Sequence, residues 1–430
     1  MLRHYGYATV GQVAQAGLAL VGLVAITRIL GPSSYGTFVV VGTVVTLMAI
    51  ALSAGPTAAV LILSARNQDA RADLHGQIVL GVGALSVLVV VGAVLLSPWL
   101  ATAISSSLEP AIVMIAILRL PALIYAGLVS AQLSGAGRVG LVAALNTVSA
   151  AMGLIGLLGA LATPDPLAGA IVGTTIATVA SGAMMALAAL STVGIEFRMA
   201  AAPWSAVASI AVPLHLGTMA YWVMLRADAI AVNSLLGGQS AGIYGLALQL
   251  SERVGLLTAP VYNATAWRVS GPDRREALRV MLQVARLELA LGVVAALAAV
   301  AFGRVATTLI GGSAYADAAL PLAVLVLGAA TLPVWSVVGL FMVSHMNGAW
   351  ITTIVQIGVA AAALLGYWTL TPIVGILGPA LVSTGAYLTL VLVGLRLIHR
   401  HEPIAVRDLI PNPQDFKAFR EALGRITSPR

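Results

Sequence analysis

The stretch "AITRILGPSSYGTF", residues 25–38, sets one arginine at the end of a long uncharged run. Residues 8–27 are apolar or small, apart from two glutamines. About 20 such residues suffice for a helix to cross a bilayer. Arg28 therefore stands at the far end of a span, and Leu-Gly-Pro after it ends the helix and turns the chain. The run is too long for the apolar core of a signal peptide and has no convincing cleavage site, so it is read as a retained helix.

The same pattern recurs along the chain. Of 430 residues, 60% are hydrophobic and only 9% charged, against about 25% charged in a soluble domain, which puts the bulk of the chain in lipid. Twelve candidate spans can be read: roughly 8–27, 37–64, 77–99, 111–134, 139–161, 167–193, 206–235, 242–267, 280–302, 318–344, 350–370 and 375–396. Basic residues in short loops set the orientation. With the N-terminus inside, the inner segments hold Arg3, Arg66, Arg71, Arg138, Arg198, Arg268, Arg274, Arg275, Arg279, Arg286 and the tail basics from Arg396 onward. The outer loops "SSSLEP", "TPDP", "LGGQ" and "TPIVG" hold none, and Arg304 is the clear exception. This asymmetry places both termini in the cytoplasm and accounts for the net charge of +7 without a nucleic-acid partner.

The chain also reads as duplicated. "ATPDPLAGAIVG" from Ala162 and "LTPIVGILGPAL" from Leu370 place Thr-Pro before a glycine-containing helix, 208 residues apart. "LGPSSYG" at Leu30 resembles "LGGQSAGIYG" at Leu236, again a little over 200 residues on. The expected fold is an all-α polytopic membrane protein of about 12 transmembrane helices, in two pseudo-symmetric six-helix bundles around a central cavity. The bundles are expected over 1–193 and 206–396, with a cytoplasmic linker at 194–205 and a cytoplasmic tail over 397–430. Within the tail, "PQDFKAFREALGRI" puts Phe416, Phe419, Leu423 and Ile426 on one stripe among Lys417, Arg420 and Arg425. That pattern suits a helix lying on membrane lipids.

Several chemistries are excluded. There is no cysteine, hence no disulfide or thiolate site. A nucleotide-binding P-loop needs Gly-Lys-Ser/Thr, and the sole lysine, Lys417, follows Phe416. The six histidines show no metal-ligand spacing. No nucleophile–base pair can be nominated, and the outer loops offer only the scattered acids Glu109, Asp165 and Asp317. Transport therefore fits better than catalysis, with no cofactor required.

Charges inside the spans carry the functional reading, because each costs at least about 2.5–3.5 kcal/mol at a helix centre. Six stand out: Arg28, Arg119, Arg226, Asp228, Glu252 and Arg253. Four arginines against two acids leave an interior surplus of positive charge, suited to an anion and to phosphate in particular. Asp228 and Glu252 are candidates either for pairing helices or for carrying a coupling ion, and Arg253 is expected to pair with its neighbour Glu252. Arg226 and Asp228, two apart, point to opposite sides of a regular helix.

"RILGPSSYG" resembles the N-terminal signature of the bacterial polysaccharide transporters of the MOP superfamily, the Wzx-type flippases of lipid-linked oligosaccharides. Their pattern is met by Arg28, Leu30, Gly31, Pro32, Tyr35 and Gly36. "LRADAIAVNSLLG" followed by "AGIYGLA", "LIGGSAYADAALPLAVL" and "TPIVGILGPALVST" resemble later segments of the family in the same order. The resemblance implies alternating access across the plasma membrane, without bond breaking, and a sugar chain on undecaprenyl diphosphate as cargo. It also implies an ion gradient, of protons or sodium, as the driving force, and polysaccharide-assembly proteins as partners. Arg28 and Arg226 are the cavity arginines that the matched motifs carry over, while Arg119 joins them by depth alone. A multidrug exporter of the same superfamily would favour acids over arginines in its cavity. A lipid II flippase usually has fourteen helices. A membrane glycosyltransferase or polymerase would need outer catalytic acids, and a non-transporting scaffold would not need unpaired interior arginines.

Overall fold

A computed structural model describes residues 2–66, 69–159, 163–197, 204–255, 262, 265–266, 268–346 and 348–410. Much of the expected linker (198–203) and the tail helix over 413–426 lie outside the described residues. The helices are α1 (Leu2–Arg66), α2 (Arg71–Ile104), α3 (Pro110–Leu118), α4 (Leu120–Gly135), α5 (Val139–Leu158), α6 (Pro166–Thr192), α7 (Trp204–Ser251), α8 (Arg274–Gly311), α9 (Ala319–Ala329), α10 (Leu332–His345), α11 (Ala349–Val374) and α12 (Leu377–His399). The expected spans fall on these helices, the eighth described in part. The chain is a multi-pass membrane protein. It divides into two compact units, Arg3–Met219 and Ala220–Arg430.

Two helices are interrupted by glycine in the same way. Gly31 in α1 has φ 65, ψ 174, and Gly237 in α7 has φ 81, ψ 172. A side chain with a Cβ rarely adopts such φ values, so each glycine splits one long helix into two crossings. These are the glycines of the two related motifs at Leu30 and Leu236, so the sequence repeat is matched in backbone geometry. The Thr-Pro pair is matched less closely. Asp165 caps α6 by accepting the N–H groups of Leu167 and Ala168 at 2.9 and 3.2 Å. Thr371 and Pro372 still lie inside α11, and Gly375 at φ 66 makes the turn.

A second correspondence comes from proline. Pro121 and Pro333, 212 residues apart, each open a helix just after a break, at Arg119 and at Ala330–Thr331. Proline has no N–H and its ring crowds the carbonyl four residues back. The fourth crossing of each unit, α3–α4 and α9–α10, is consequently bent at the equivalent place.

The surface is apolar where lipid should lie. On α8 the side chains of Val294, Leu297, Val300, Val305 and Leu309 all point outward, more than 60% exposed. Helices meet through small residues, as lipid-embedded helices do. A Cβ on Gly156 or on Gly173 would collide with the carbonyl of the other glycine, so the α5 and α6 backbones touch there. Gly173→Ala is expected to lower detergent-extracted folded protein and its thermal midpoint, at a cost of about 1–3 kcal/mol. An unchanged midpoint would show that the two helices can separate freely.

Candidate functional site

In the first unit the nominated charges are Arg119 and Arg28, and Arg119 is the one set within a broken helix. The proline-induced break puts it between α3 and α4, with φ −75 and ψ −13. One guanidinium nitrogen donates to Thr174 Oγ1 on α6 at a long 3.4 Å, and that hydroxyl is already donating to the Ala170 carbonyl at 2.7 Å. Arg119 has no acidic partner among the described residues. Along α6, Thr178 and Ser181 join Ser130, Asn146 and Ser149 around a cavity of about 320 Å³ whose lining is otherwise apolar, Leu123, Ala126 and Met185 among it. The hydroxyl of Ser149 is buried there without a hydrogen-bond partner. Arg28 lies in α1 just before the Gly31 break and is exposed.

The second unit holds the other four charges. Arg226 on α7 forms a two-pronged ion pair with Glu252, at 2.8 and 3.2 Å. Its guanidinium also lies over the Trp222 ring, 5.5 Å from the centroid. Adjacency suggested Arg253 as the partner of Glu252, but both close contacts go to Arg226. Positions 252 and 253 form a turn at the end of α7, and Arg253 keeps a buried Nε without a partner.

Asp228 points away from Arg226, as their spacing requires, and is fully buried. Its carboxylate accepts from Tyr244 Oη at 2.6 Å, from the Ala229 N–H at 2.7 Å and from Ser383 Oγ at 3.3 Å. Ser383 is also 2.9 Å from Tyr367 Oη, which donates to the Met224 carbonyl at 2.7 Å. Both parts of α7, with α11 and α12, are thus tied by one carboxylate and three hydroxyls. Such an oxygen-lined cluster can hold a proton or a hard cation as well as join helices.

Sequence reading missed the hydroxyl partners and one acid. Glu288 in α8 is 0% exposed, and neither carboxylate oxygen has a hydrogen-bond partner. The signal was present, an acid within the ninth stretch, and it was passed over.

With this geometry in view, comparisons place the fold. Residues 1–266 match the family model described as "Polysaccharide biosynthesis protein". No curated protein matches the sequence. Solved structures share the fold at low identity. The lipid II flippase MurJ, in an inward closed conformation, is 13% identical over 97% of this chain and 91% of that one, with TM-score 0.76. The MATE multidrug transporter DinF-BH, in complex with R6G, is 16% identical over 95% and 96%, with TM-score 0.69. A MOP superfamily transporter from Pyrococcus furiosus is 12% identical over 100% and 97%, with TM-score 0.61.

Proposed function

The chain belongs to the polysaccharide biosynthesis protein family, and from that premise we propose that it is a flippase. Its cargo is an oligosaccharide on undecaprenyl diphosphate, moved across the bacterial plasma membrane for cell-surface polysaccharide, with both termini cytoplasmic. Arg119 carries this reading: a guanidinium in a membrane span, at a helix break, with one long hydroxyl contact. A cation so placed is costly unless something anionic visits it, and the planar guanidinium suits phosphate. The cavity nearby is mostly apolar, and its few hydroxyls and the Asn146 amide offer partners for sugar hydroxyls. Arg28 and Arg226 complete the cargo arginines, with Arg226 released from Glu252 when the anion arrives. Asp228 is the candidate for ion coupling, and the cycle breaks no bond.

The test is reconstitution. Labelled lipid-linked oligosaccharide in vesicles carrying the purified protein should become accessible to an external, membrane-impermeant lectin faster than in protein-free vesicles. In cells, expression should restore surface polysaccharide to a strain lacking its own flippase. Folded protein that leaves both readouts at background overturns the reading.

A further inference from the structure

We propose that Glu288 is a proton-binding site: its carboxyl is protonated in this conformation and releases the proton when the break between α9 and α10 opens. The inference adds a proton to the transport cycle proposed above and rests on that reading for its purpose. Three observations carry it. Glu288 is 0% exposed and both of its oxygens are unpartnered. Its own helix face offers no cation, since Val284, Ala285, Leu291 and Gly292 flank it at three- and four-residue spacing. One turn along that face, Gly292 packs so closely on Ala330 that a Cβ would collide with it. The acid is therefore held one turn from the bend that Pro333 imposes.

Among the described residues the surrounding groups leave the carboxyl without a counterion. Arg286, two positions away on the helix, donates to the Asp408 carbonyl at 2.8 Å. Helix α9 carries no titratable side chain. In α10 the titratable group is His345, whose Nε2 contacts the Val269 carbonyl at 2.8 Å. Tyr315 and Asp317 belong to the segment beyond the far end of α8. Tyr262 is within electrostatic reach, and it is no cation.

An ionised carboxylate in such a setting carries a desolvation penalty of several kcal/mol with nothing to offset it, so the group is neutral. Sodium does not fit, because a hard cation needs several oxygen ligands and neither oxygen has a hydrogen-bond partner among the described residues. Losing the proton creates an unpaired charge beside a bend, and the relief is to admit water there. Raising the pH should therefore favour opening.

The chain has no cysteine, so a single Thr331→Cys at the buried break reports opening cleanly. With the purified full chain in vesicles, its labelling by a maleimide should quicken with pH. Divided by the rate of an unhindered thiol at the same pH, because only the thiolate reacts, labelling should rise about tenfold per pH unit between the titration points of the open and closed states, as one linked proton requires. Glu288→Gln, which mimics the protonated acid, should keep this corrected rate low at every pH. A corrected rate that is independent of pH, or equally pH-dependent with Glu288→Gln, overturns the proposal. If Thr331→Cys does not fold, infrared difference spectra of the parent and Glu288→Gln decide. A protonated-carboxyl band should be lost in the mutant, and no such loss overturns the proposal. Neither readout needs cargo, so a failure of glycan movement alone would count against the flippase reading and leave the proton site standing.

Discussion

Arg119→Gln is expected to lower glycan export about a hundredfold while folded protein holds or rises. The substitution removes a membrane-embedded charge that has only the long contact to Thr174 to offset its cost, so the fold loses little. The cargo loses a charge-assisted hydrogen bond worth about 1.5–3 kcal/mol, and about 1.4 kcal/mol corresponds to a factor of ten. Arg119→Lys should recover part of the export, because it keeps the charge and loses the fork. Surface polysaccharide and detergent-extracted protein, measured side by side, separate the two effects. Full export by Arg119→Gln would remove Arg119 from the site.

Breaking the Arg226–Glu252 pair should have the opposite signature. Glu252→Gln leaves a guanidinium whose Nε is already unpartnered facing a neutral amide. The expected loss is about 3 kcal/mol, the low end for a broken buried pair, because the Glu252 side chain keeps 32% exposure. Folded protein and thermal midpoint should fall. Arg226→Gln added to Glu252→Gln should restore both, since no unpaired charge then remains. Export should stay lost in the double mutant if Arg226 also grips the cargo. A single mutant as stable as the parent would show that the pair contributes nothing to the fold, and restored export in the double mutant would make Arg226 purely structural.

How much of this was legible depended on the range of each signal. Spans follow from local runs of apolar residues, so the helices fall where composition puts them. The Gly31 and Gly237 breaks were legible as a repeat, because a left-handed turn demands glycine at that point. Arg119 could be nominated because a charge within an apolar run is a local contrast. The partner of Glu252 was not legible. Arg226 is 26 residues away, and the choice between it and adjacent Arg253 depends on how α7 turns beyond Gly237. The Asp228 cluster draws on residues 16 and 155 positions distant, a separation no helical period encodes. Both bending prolines were visible, but proline is common enough in membrane helices that only their matching places in two units give them meaning.

Those matched bends imply a division of labour after duplication. Both halves keep a bent fourth crossing, yet the chemistry beside each has parted. One copy bears a guanidinium at the bend itself, and the other packs on Gly292, one turn from a buried carboxyl. An ancestral half-length protein, paired with itself, would have had to serve both roles with one set of side chains. On the two readings proposed above, joining the copies leaves each bend free to specialise, one towards an anionic passenger and the other towards proton concentration.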